Sequence, residues 1–91
     1  METRIAAVSI IVENPDSVEK LNNILHNYGR YIIGRMGIPY QKREISIISI
    51  VMDAPNDVIS ALSGKLGMLP DVTAKTVYSR LFSDDLMKGS D

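Results

Sequence analysis

The chain has one histidine, His26, and no cysteine, so it is short of the side chains that most often ligate transition metals or attack carbonyl carbons. A zinc site takes three or four ligands, and His26 has neither a second His nor a Cys to work with. It falls beside Leu25 near the C-terminal end of a helical stretch, where a partly exposed imidazole suits the helix dipole. The same counts exclude a disulfide framework, iron–sulfur ligation, a cysteine nucleophile and a Ser/His/Asp or Cys/His constellation. No metal and no cofactor is called for. With so little ionisable machinery, enzymatic activity is not expected.

Two glycine-containing strings look like nucleotide loops and fail on spacing or context. Ser63-Gly64-Lys65-Leu66-Gly67 has a Gly-Lys pair, but Ile59 and Leu66 stand where a P-loop needs Gly and Ser or Thr. Gly64 reads instead as letting a helix approach a sheet closely, with Lys65 solvated. Gly34-Arg35-Met36-Gly37 has the GxxG form of a KH loop, yet it lies in a strand pattern and not between helices. Around it, Arg30, Arg35, Lys42 and Arg43 interleave with Tyr28, Tyr31 and Tyr40, a composition that serves anion contacts and base stacking. An edge strand protected by charge accounts for the same residues.

The elements that must position these residues are marked by period and punctuation. Arg4 to Val12 is β-branched and apolar and reads as a strand buried on both faces. It stops at Glu13-Asn14-Pro15-Asp16, where Pro15 suits a helix start and Asp16 with Glu19 has capping-box spacing. Val18, Leu21, Ile24, Leu25 and Tyr28 then form one helical stripe, which Gly29 ends in a left-handed stop. Tyr31 to Tyr40 is a strand whose glycines, Gly34 and Gly37, indicate a bulge or an edge position. Gln41 to Glu44 is a polar turn, and Ile45 to Asp53 is another nearly all-apolar strand. A second helix runs from about Asn56 to Leu66, stops at Gly67, and leads to a last strand at Val72 to Tyr78. Val12-Glu13-Asn14-Pro15-Asp16-Ser17-Val18 echoes Met52-Asp53-Ala54-Pro55-Asn56-Asp57-Val58, so one supersecondary unit occurs twice. The expected fold is α+β, a ferredoxin-like βαββαβ sandwich with a four-stranded antiparallel sheet and two helices on one face. Residues 4–78 make the domain and 79–91 a tail, frayed from Ser83 onward.

The chain has 91 residues, enough for one domain, and Lys+Arg 10 against Asp+Glu 11 leaves a net charge of -1. That balance gives no general pull toward phosphate backbones or anionic membranes, and direct DNA binding is not expected. Neither a signal peptide nor a membrane-spanning apolar run is visible, so a cytoplasmic location is expected. Mean hydropathy is nevertheless positive, at +0.04. Strand parity locates the surplus. Ala6, Val8, Ile10, Val12, Ile48, Ile50 and Met52 can face the helices, yet the opposite set is Ile5, Ala7, Ser9, Ile11, Ile45, Ile47, Ser49 and Val51. Ser9 and Ser49 are its only polar relief, expected on one face of neighbouring strands taken to run parallel. Two helices cover one face of a sheet, so the second apolar face predicts a homo-oligomer, dimer or tetramer, through the sheet.

Ile59-Ser60-Ala61-Leu62-Ser63-Gly64-Lys65-Leu66-Gly67 followed by Val72-Thr73-Ala74-Lys75-Thr76-Val77, with Leu25-His26-Asn27-Tyr28 and Arg35-Met36-Gly37-Ile38-Pro39-Tyr40, resembles a small family of stand-alone ACT-like proteins. They are described as regulators of the iron-only hydrogenase system and are related in fold to the C-terminal domain of nickel-responsive CopG-type repressors. The resemblance covers about Arg4 to Tyr78 and implies a regulatory module that assembles through its sheets. The nickel ligands and N-terminal DNA-binding domain of those repressors have no counterpart in this sequence. By family analogy the loop after the first strand implies a ligand site at Asn14, Asp16 and Ser17, where helix-start amides favour a carboxylate. The same three residues also read as helix caps. A small-molecule effector and a protein partner are the two kinds of partner the resemblance implies; a structural interaction module without a ligand is the alternative, and a nucleic-acid contact through the basic second-strand region is a third reading.

Overall fold

β-branched side chains crowd a helix but fit a pleated sheet, and Arg4–Val12, rich in them, forms the first strand, β1. The computed structural model describes residues 2–82. After β1 come helix α1 (Ser17–Asn27), strand β2 (Ile32–Tyr40), strand β3 (Ile45–Ala54), helix α2 (Asn56–Gly67) and strand β4 (Val72–Phe82), with short 3-10 turns at Gly29–Tyr31 and Gln41–Arg43. This is the expected β-α-β-β-α-β order. β4 runs beyond the expected domain end at Tyr78, and the tail from Ser83 lies outside the described residues.

The strands form one antiparallel sheet in the order β2-β3-β1-β4, the ferredoxin-like arrangement. β1 and β3 are central, but they run antiparallel and not parallel. The crossover through α1 sets β2 parallel to β1, and the β2–β3 hairpin then reverses the chain. Ser9 consequently stands directly opposite Ser49. The register slips between Ile32 and Gly34, which places a bulge at the glycine-bearing edge strand.

Both helices open alike. The Val18 N–H donates to the Pro15 carbonyl at 3.2 Å and the Val58 N–H to the Pro55 carbonyl at 3.0 Å, so the sequence echo is also a structural one. The Asp16–Glu19 capping box does not form, since no side chain caps α1. Asn14 Oδ1 instead accepts the Asp16 N–H at 2.9 Å, an Asx turn that sets the start of the helix. No glycine among the described residues has a positive φ, so neither Gly29 nor Gly67 makes a left-handed stop. α1 tightens into a 3-10 turn through Tyr28 N–H to the Leu25 carbonyl at 3.1 Å, and Gly67 is the last residue of α2. Among the described residues the left-handed ones are Glu44 (φ 54) and Asp71 (φ 57), each one step before a strand.

Ala6, Val8, Ile10 and Val12 of β1 and Ile48, Ile50, Met52 and Ala54 of β3 are buried with Leu21, Leu25, Ile59, Leu62 and Leu66 of the helices. Full burial of each large aliphatic side chain contributes about 1.5–3 kcal/mol, and the alternation of strand residues directs that gain to one face. Gly64 is exposed, and a Cβ there would meet nothing within 4 Å, so it does not serve close helix–sheet approach. Lys65 lies with its ammonium 5.1 Å from the Tyr28 ring centroid, linking α2 to the end of α1.

Candidate functional site

Directly opposed residues of an antiparallel pair share a face, so the register writes out the sheet surface that the helices leave uncovered. One row reads Gly34, Val51, Ala7 and Val77 from β2 to β4, the next Met36, Ser49, Ser9 and Lys75, and the third Ile38, Ile47, Ile11 and Thr73. Tyr40 and Ile45 close one end, while Ile5 and Asp53 face each other near the other. The structure thus gathers Ile5, Ala7, Ser9, Ile11, Ile45, Ile47, Ser49 and Val51 on a single open face. Ile11 is 41% and Ile47 39% exposed at its centre.

β2 contributes more to this face than parity at the two central strands indicates. Met36 is 61%, Ile38 50% and Tyr40 46% exposed, whereas the helix-side residues of the same strand are Arg35, Gly37 and Pro39. Ile32 packs against the core, but beyond Gly34 β2 directs its large apolar side chains away from it. The signal was visible as the alternation at 36, 38 and 40, which the two glycines and Pro39 obscured. The β4 side is more polar, with Thr73 and Lys75, so apolar character is concentrated over β2, β3 and β1.

The loop between β1 and α1 is committed to internal bonds. Asn14 accepts the Asp16 N–H through Oδ1 and the Ser17 N–H through its carbonyl, each at 2.9 Å. Ser17 is 2% exposed and its hydroxyl donates to the Pro70 carbonyl at 2.8 Å. The Glu13 N–H donates to the Asp71 carbonyl at 2.9 Å, so two bonds join this loop to the start of β4. Of the three candidate ligand residues, Asn14 and Ser17 hold the chain together and Asp16 is left exposed. Pro15, between them, lines an apolar cleft of about 160 Å³ with Val12, Val18, Tyr40 and Ile45.

That cleft lies at one end of a trough between α1 and β2. Two adjoining segments, of about 410 and 210 Å³, share Asn22 and Arg35 as lining residues. An Arg35 guanidinium N–H donates to Asn22 Oδ1 at 2.7 Å across it. His26 lines the first segment. The basic residues, by contrast, do not form one surface. Arg30 precedes β2 and Lys42 and Arg43 follow it, so the strand separates them by roughly 30 Å. Tyr28 and Tyr31 pack against the core and are no stacking platform.

The described residues thus form an α+β module with a covered core and an apolar open sheet face, and no group of three or more His, Cys, Asp or Glu that could hold a metal ion occurs among them. Residues 4–76 match the TM1266-like family, described as "Iron-only hydrogenase system regulator, putative", and the chain belongs to that family. A solved structure of an uncharacterized protein, TM1266 from Thermotoga maritima, superposes with a TM-score of 0.83 at 36% sequence identity, covering 87% of this chain and 100% of that one. No curated protein matches the chain. No helix among the described residues is long and apolar enough to cross a membrane.

Proposed function

We propose that this chain is a non-catalytic regulatory module of an iron-only hydrogenase system that works in the cytoplasm as an ACT-like homo-oligomer, one sheet packed face to face on another. The family supports the regulatory role. The observation that carries the assembly is the orientation of β2, whose Met36, Ile38 and Tyr40 extend the open face while Arg35, Gly37 and Pro39 take the helix side. A strand with one wet face ordinarily reserves its apolar residues for the core. Here they continue the surface formed by Ile11, Ile47 and Val51, and a contiguous apolar surface of that kind is buried in contacts between chains. Packed sheets interdigitate at about 10 Å, and a second copy brings an apolar face of matching composition. An effector or a partner protein would then act by shifting the assembly equilibrium.

Sedimentation velocity at micromolar concentration tests this reading. The wild-type chain is expected to sediment as a dimer or tetramer, and Ser9→Glu, which places a charge in the central row, to sediment as a monomer. Ser60→Glu, on an exposed position of α2, leaves assembly unchanged. A wild-type monomer would reassign the face to a different protein partner.

A further inference from the structure

We propose that the trough between α1 and β2 binds an organic carboxylate with an apolar body, its head on Arg35 and Asn22 and its body running over Gly37 toward Pro39. This goes beyond the assembly reading and does not depend on it, because the trough lies on the helix side of the sheet. Charge is the first argument. Arg35 lines the two segments beside Asn22, and no Asp or Glu stands among the lining residues of either; the one acid along the trough, Glu44, lines the far cleft. An arginine carries five N–H donors in a planar fork, and the 2.7 Å bond to Asn22 orients that fork across the trough. A carboxylate is the planar anion such a fork receives.

Shape is the second argument. At Gly37 a Cβ would meet nothing within 4 Å, and its φ is not positive, so neither packing nor backbone conformation requires glycine there. A side chain at this helix-side position would rise into the segment formed with Val18, Pro39 and Ile48. What the glycine supplies is room. The apolar lining then continues past Val18 and Pro39 into the cleft at Val12, Pro15 and Tyr40, which suits a hydrocarbon body.

An amide-resolved NMR titration of the full chain with octanoate tests the site, with octanol and inorganic phosphate as probes lacking the head and the body. Saturable shifts are expected at Asn22, Arg35, Gly37 and Ile48 with octanoate, and affinity weaker by at least roughly tenfold with either other probe. Arg35→Gln should weaken octanoate by about the same factor, since it removes a charge-assisted contact. Gly37→Leu should abolish the shifts while the spectrum stays dispersed; if that variant unfolds, the surface substitution Arg35→Gln decides. Octanol binding as tightly as octanoate, full affinity in Arg35→Gln, shifts confined to the open sheet face, or no saturable shift would each overturn the proposal.

Discussion

Ser17 is the one buried polar side chain among the described residues, and its hydroxyl ends on the Pro70 carbonyl 2.8 Å away. Removing a hydrogen-bond partner from a buried site costs about 1–3 kcal/mol, so Ser17→Ala is expected to lower the urea unfolding free energy by that amount. Asn14→Ala loses the acceptor for the Asp16 N–H and should cost about 0.5–2 kcal/mol, in the range of helix-cap losses. Asp16→Ala makes neither loss and should stay within about 0.5 kcal/mol of wild type. This ordering separates a structural loop from a ligand site: equal, small effects at all three positions would contradict the bonding described. In the sequence the three residues are equivalent, a short polar run before a helix. Only the arrival of the Pro70–Asp71 turn beside them distinguishes Ser17 from Asp16, and that turn lies more than fifty positions away in the chain.

At the scale of elements, β2 is the segment in which sequence and structure diverge most informatively. Its place at the sheet edge and its irregularity near Gly34 were legible, because glycine and proline carry local backbone meaning. Which of its two faces looks toward the helices was not, because a bulge changes the parity of every residue beyond it. The consequence is testable in one strand pair. Met36→Ser combined with Ile38→Ser should dissociate the assembly in sedimentation velocity and leave the chain folded by circular dichroism. Ile50→Ala, buried on the helix side of β3, should cost about 2–5 kcal/mol in urea unfolding. Strong destabilisation by the β2 pair, with assembly intact, would place those side chains in a core and not at an interface.

For the whole molecule, the proposed face-to-face assembly would couple folding to association, because it buries a second apolar face. Anything that binds only the folded chain raises its apparent stability by mass action, a second copy included. The midpoint of thermal unfolding should therefore rise with protein concentration for the wild type and be insensitive to it for Ser9→Glu. A wild-type midpoint that does not move over a hundredfold dilution would uncouple the two. The apolar surplus expressed in a positive mean hydropathy is consistent with this coupling, since the covered core accounts for one face of the central strands and leaves the other exposed.

The sequence by itself determined the element order, the repeated strand-to-helix punctuation and the two apolar faces of β1 and β3. Each of these is written in a local period of two or of three to four residues, or in a Pro-led turn, and needs no knowledge of distant neighbours. The tertiary structure decided what local patterns do not carry. It set the register of β3 on β1, so that Ser9 meets Ser49, and it turned Met36, Ile38 and Tyr40 outward. It engaged Ser17 with the Pro70 carbonyl and brought Arg35 across to Asn22. The physical reason is common to all four: pairing register and the packing of helices on a sheet are non-local, and they choose which residues become neighbours after the local periods have chosen the elements.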